Sequence, residues 1–129
     1  DIINTGTSID GEVSRQLLIK IFIPNTPLHD GAVIIRDSEI NAAACFLPLT
    51  QSKDLSKELG TRHRAAIGVS EVSDCISLIV SEETGDVSIA KAGKIYRKIS
   101  KERMTNILRS NLKVTSQEKS FFKGGIFKW

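Results

Sequence analysis

Arg62, His63 and Arg64 follow Thr61 at a point where a helix is expected to begin, which puts three potentially cationic side chains in its first turn. A helix N-terminus carries partial positive charge and unpaired N–H donors, so it favours Asp or Glu there and is weakened by Arg. Such a helix start needs an anion to complete it. Phosphate is the usual one, because backbone N–H groups, the helix dipole and the arginine fork all favour it together. Thr61 is the expected N-cap, and Ala65, Ala66 and Val69 follow at the spacing of an apolar face. The competing account is a solvated basic turn.

Two further polar groups have chemical potential. His29-Asp30-Gly31 directly precedes the apolar run Ala32-Val33-Ile34-Ile35. It reads either as a turn or as a carboxylate beside a glycine that a ligand can approach, with His29 able to bind a metal. Ser81-Glu82-Glu83-Thr84-Gly85 follows a second apolar run. Its hydroxyl suits phosphate and its carboxylates suit a hard cation, although adjacent residues on a strand face opposite ways and a polar turn is the plainer explanation. Phe46, next to Leu47, is either a core residue or a stacking surface for adenine. Taken together, these groups form the inventory of phosphoryl or nucleotidyl transfer.

The elements that must position these groups are legible from periodicity. Val13, Leu17, Leu18, Ile21 and Phe22 share a helical face, and Pro24 and Pro27 stop that helix, which predicts a helix from Gly11 to Phe22 after a short polar lead. Ala32–Arg36 and Ile40–Leu47 predict a hairpin. A helical turn is expected over Leu55–Leu59, then the basic helix over Arg62–Val72. Cys75–Val80 predicts a buried strand, and Asp86–Ala90 with Lys94–Ile99 a second hairpin. A last amphipathic helix carries Met104, Ile107, Leu108 and Leu112, with Ser100 as its cap. Residues 113–129 read as a loosely held tail, outside a domain spanning 1–112. The order predicts a single α/β (α+β) domain with a central mixed, twisted sheet flanked by helices.

Composition narrows the functional classes. The chain has 129 residues, 40% hydrophobic and 26% charged, which is ordinary for one globular domain. A net charge of +3 agrees with an anionic ligand without requiring nucleic acid, and 5% aromatic residues leave few stacking platforms for single strands. No nucleic-acid partner is therefore expected. Cys45 and Cys75 sit in apolar runs and read as buried free thiols of a reducing, cytoplasmic compartment. No apolar stretch approaches the ~20 residues that span a bilayer. The phosphate-loop and dinucleotide fingerprints are missing, as is a nucleophile elbow.

Asn25-Thr26-Pro27-Leu28-His29-Asp30-Gly31-Ala32-Val33-Ile34-Ile35, then Lys57-Glu58-Leu59-Gly60-Thr61-Arg62-His63-Arg64-Ala65-Ala66, then Ser81-Glu82-Glu83 closely resemble the diadenylate cyclase (DAC) domain family, in particular its membrane-anchored CdaA type. The likeness runs from about Ile9 to Leu112. It implies condensation of two ATP molecules into cyclic di-AMP, with Mg²⁺ or Mn²⁺, across a face-to-face homodimer in which each subunit holds one ATP. It also implies a cytoplasmic catalytic domain anchored by transmembrane helices that lie outside this chain, and it leaves room for regulatory protein partners.

The resemblance further implies individual roles. Asp30 would activate the ribose 3′-hydroxyl, directly or through the metal, and Gly31 would let the ribose lie against backbone. His29 and Glu83, with Asp30, would be metal ligands. Thr61, Arg62, His63 and Arg64 would hold the triphosphate, Ser81 and Glu82 would line its pocket, and Phe46 and Leu47 would border the adenine. Family members carry a further helix and strand before the segment that starts here at Asp1, so an exposed sheet edge or an incomplete core is expected. A catalytically silent nucleotide-binding module is the alternative function.

Overall fold

The computed structural model describes residues 2–51, 60–81, 83–112 and 125–128. Among these, a 3-10 turn over Ile3–Thr5 leads into β1 (Thr7–Glu12), α1 (Arg15–Ile21), β2 (Ala32–Arg36), β3 (Glu39–Cys45), α2 (Thr61–Val72), β4 (Ile76–Val80), β5 (Val87–Lys91), β6 (Lys94–Tyr96), α3 (Lys101–Leu112) and β7 (Gly125–Lys128). The strands form one mixed sheet in the order β1-β3-β2-β7-β4-β5-β6. This is the α/β architecture that the sequence predicts.

Alternation along the strands decides which helix covers which face. In β2, Ala32 and Ile34 join Val69 of α2, whereas Val33 and Ile35 join Ile21, Leu17 and Leu18 of α1. On the other half of the sheet, Ile79 and Ala90 meet Ala66 and Ile67 of α2, while Ile76 and Ile89 meet Met104, Ile107 and Leu108 of α3. So α2 spans one face, and α1 and α3 share the other. Between the sheet and the Pro48–Thr50 backbone that lies against Gly68, α2 buries six successive residues, Ala65 to Ser70.

Several boundaries differ from expectation. The first helix begins at Arg15, not Gly11, because the Ser14 hydroxyl accepts the Leu17 N–H at 3.1 Å and caps it there. Gly11 and Glu12 instead end β1, which pairs antiparallel with β3, so the expected polar lead is an edge strand. Ser100 does cap α3, accepting the Arg103 N–H at 3.1 Å. The expected turn over Leu55–Leu59 lies outside the described residues. The tail is the largest correction, since Gly125–Lys128 pairs antiparallel with β2 and parallel with β4 in the middle of the sheet. Local pattern could not reveal this strand, because its backbone partners come from two distant segments.

Candidate active site

Register brings the three polar groups to one end of the sheet. Ala32 at the start of β2 pairs with Lys128, and Lys128 pairs with Ile79 near the end of β4. The starts of β2 and β5, the ends of β3, β4 and β6, and the N-terminus of α2 therefore all meet at this edge.

The helix start departs from the expected capping. Gly60, not Thr61, is the N-cap of α2; Thr61 is already helical, so its hydroxyl is free for other uses. No side chain caps the helix, and its first turn holds no acidic residue. The first-turn N–H groups have no acceptor within the helix, so the anion-binding character argued from sequence is retained.

Ser81 is prepared by its own turn. Its Oγ accepts the N–H groups of Glu83 and Thr84, both at 3.3 Å. With those lone pairs engaged, the hydroxyl hydrogen is left to donate, which suits a phosphate oxygen. The turn is closed by the Ser81 N–H to the Asp86 carbonyl and the Gly85 N–H to the Ser81 carbonyl, each 2.9 Å.

A cavity of about 480 Å³ gathers Thr61, Arg62, His63, Ser81 and Glu83 of the expected residues. His63 is half-buried; burial first, and then the Arg97 guanidinium, push its pKa below the ordinary 6.5. Its imidazole is therefore neutral near pH 7. Glu82 lies outside the described residues. Arg64 is half-buried and does not line this cavity; its carbonyl accepts the Thr50 N–H at 3.1 Å.

His29, Asp30, Gly31, Phe46 and Leu47 also lie off the cavity wall, toward β2 and β3 along the same edge. Asp30 is exposed, and Phe46 is 72% exposed, which removes the core account of that ring. The His29 Nδ1–H donates to the Thr26 carbonyl at 2.8 Å, so Nε2 is the nitrogen left to meet a cation. Gly31 has φ +104, and a Cβ there would lie 2.8–2.9 Å from the backbone of Ala44. The chain itself demands glycine at this position, whether or not a ligand approaches.

Among the described residues no three His, Cys, Asp or Glu side chains gather into a metal cage. Glu83 on the cavity wall offers a carboxylate of the kind that holds a hard cation together with the phosphates of a substrate, as Mg²⁺ commonly is held. Cys45 and Cys75 are free and buried, as expected.

Among the described residues, four polar side chains line the cavity that residue pattern alone does not assign to a site: Asp86, Ser88, Arg97 and Lys98. The sequence pattern predicts a strand running through Arg97 and Lys98 to Ile99, but β6 ends at Tyr96. The available signal was Ser100, since a helix cap requires a connection immediately before it.

Known proteins resemble the chain closely. A family model described as DisA bacterial checkpoint controller nucleotide-binding (DAC) matches residues 1–95. Cyclic di-AMP synthase CdaA of Bacillus subtilis is 55% identical over 120 residues, covering 93% of this chain and 44% of that protein. A diadenylate cyclase of Listeria monocytogenes is 56% identical over 129 residues, covering 97% of this chain and 47% of that protein. The chain thus spans about half the length of these curated relatives. Among solved structures, DacA from Staphylococcus aureus superposes with a TM-score of 0.83 at 55% identity, over 85% of this chain and 73% of that one. A hypothetical membrane spanning protein from Bacillus cereus gives 0.71 at 50% identity, over 74% and 47%.

Proposed function

This chain belongs to the diadenylate cyclase (DAC) domain family, and we propose that it joins two ATP molecules into cyclic di-AMP with release of two pyrophosphates. The observation that carries this reading is the single cavity shared by Thr61, Arg62, His63, Ser81 and Glu83, at the sheet end where Asp30 opens β2. The residues that do the chemistry all lie within residues 1–112.

In each half-reaction a ribose 3′-oxygen bonds to the α-phosphorus of the other ATP, the α–β phosphate bond breaks, pyrophosphate leaves, and the hydroxyl proton is lost. A hydroxyl is a poor nucleophile at neutral pH, so proton removal and in-line placement are what the protein must supply. Asp30, exposed before β2, accepts that proton in our reading. Thr61, Arg62 and His63 on the cavity wall, with Arg64 next to them on α2, hold the triphosphate, and Ser81 donates its hydroxyl to it. Phe46 and Leu47 flank the adenine. Glu83, His29 through Nε2, and Asp30 would each contribute ligands to a divalent cation, Mg²⁺ or Mn²⁺, alongside the ATP phosphates, since among the described residues they form no cage by themselves. Such an ion neutralises developing phosphate charge.

One subunit holds one nucleotide, so a homodimer completes the site. Among the described residues no helix is long and apolar enough to cross a membrane. We place the catalytic domain in the cytoplasm, tethered to the membrane by a part of the protein outside this chain. Incubation with ATP and Mn²⁺, followed by chromatography, tests the activity. Cyclic di-AMP supports the cyclase; bound but unchanged ATP overturns it in favour of a nucleotide-binding module.

A further inference from the structure

Arg97 and Lys98 belong to the short connection from β6 to α3, and both line the cavity opposite no element assigned a role above. The connection is pinned. Ile99 is 8% exposed, sits among Ile76 and Ile89, and donates its N–H to the Val87 carbonyl at 2.9 Å. Immediately beyond, Ser100 caps α3 through the Arg103 N–H. Lys98 itself takes a left-handed backbone, φ 51, a conformation uncommon for a lysine. Two exposed cations are thus presented from a fixed piece of chain at the cavity wall.

Strand order gives that wall a place along a bound nucleotide. Phe46 and Leu47 leave β3, Asp30 precedes β2, Ser81 follows β4, Asp86 precedes β5, and Arg97 follows β6. In the sheet these elements lie in the sequence β3, β2, β7, β4, β5, β6. With strands ~4.8 Å apart, β4 lies about 10 Å from β2, and β6 about 10 Å further on. If the nucleoside occupies the β3–β2 end, the phosphate arm runs toward β4 and the α2 N-terminus, where the long side chains of Arg97 and Lys98 approach it from the β6 side. Among the described lining residues, three permanent cations, Arg62, Arg97 and Lys98, stand with two carboxylates, Glu83 and Asp86. The balance favours an anion even with the His63 imidazole neutral.

We propose that Arg97 and Lys98 bind the β- and γ-phosphates of ATP, the portion that leaves as pyrophosphate, and so select triphosphates over monophosphates. This rests on the cyclase reading, because it takes the orientation of the nucleotide from it. The lowering of the His63 pKa by Arg97 agrees with the guanidinium standing close to the α2 N-terminus.

Calorimetry of Arg97→Ala/Lys98→Ala with ATP, AMP and inorganic tripolyphosphate tests the assignment. Each lost charge-assisted contact should lower ATP and tripolyphosphate affinity by about tenfold or more, with AMP affinity unchanged within about twofold. Arg15→Ala/Lys20→Ala, which removes the same charge from α1, should change none of the three. Both target side chains are exposed, and Arg97→Gln/Lys98→Gln provides a second variant should the alanine pair melt early. Equal losses for ATP and AMP, or retained tripolyphosphate binding in a folded variant, overturn the assignment. If the parent binds tripolyphosphate through these residues yet neither binds ATP nor forms cyclic product, the polyphosphate site stands and the cyclase reading fails.

Discussion

Asp30 is exposed and stands before β2, away from the cavity wall that gathers Thr61, Arg62, His63 and Ser81, the residues proposed to hold the triphosphate. That separation predicts a clean division of labour. Asp30→Asn, nearly isosteric but without the charge, should abolish ring formation while ATP affinity stays within about tenfold of the parent. Loss of ATP binding in calorimetry would make Asp30 a binding or folding residue instead. His63 gives a second residue-scale expectation. Its folded pKa lies below the unfolded 6.5 because burial, and then Arg97, disfavour the imidazolium. Well above pH 6.5 both states are neutral there and the group contributes nothing to the pH dependence. As pH falls through 6.5 the unfolded chain takes up a proton that the folded chain resists, so stability is lost until the folded pKa is passed. His63→Gln should therefore lose less melting temperature between pH 7.5 and 5.5 than the parent, by about the linkage term removed. Parallel losses would sink this account.

At the scale of elements, α2 is held by a crossing that few local signals announce. Thr50 is buried, and its N–H reaches the Arg64 carbonyl. Where the segment passes Gly68, a Cβ would stand 2.8 Å from the Thr50 nitrogen and 2.9 Å from the Leu49 carbonyl carbon. The segment begins at Phe46 and Leu47, so this contact ties the end of β3 to the helix that presents Arg62 and Arg64. Gly68→Ala must push the two apart. Overpacking of this kind costs about 1–3 kcal/mol, which denaturant titration can measure, and the KM for ATP should rise because the two sides of the site lose their registration. A variant as stable as the parent, with unchanged KM, would show that the crossing does not position the helix. Sequence reading found α2 through its alanines and its basic start, but Gly68 looked like an ordinary weak helix residue. The backbone lying over it comes from a different part of the chain, which no local pattern reports.

For the whole molecule, the cyclase reading requires two subunits, since neither can bring both nucleotides. Activity per subunit at saturating ATP should rise with protein concentration until the dimer saturates. Mixing is more decisive. An excess of Asp30→Asn subunits should draw the parent into mixed dimers that form at most one of the two bonds, so linear product accumulates and ring falls several-fold. Unchanged ring formation per parent subunit, with mixed dimers demonstrated, would mean that each protomer closes the ring alone.

The amino-acid sequence by itself determined most of the strand-like and helical segments, the apolar run of β2, and the chemical character of Arg62, Ser81 and Asp30, because periodicity and residue type are local properties. The resemblance of Asp30-Gly31-Ala32 and Thr61-Arg62-His63-Arg64 to the DAC family was legible at the same level. What only the tertiary structure decided was proximity. Whether Gly11 and Glu12 belong to a helix or to an edge strand depended on β3 being available beside them. The place of Gly125–Lys128 depended on β2 and β4 leaving a gap between them. Arg97 and Lys98 entered the cavity only because Ile99 is buried beneath the sheet and holds their connection at its end. Pairing and burial join residues far apart in the chain, and their free energy depends on the partner's position as much as on the residue's own type.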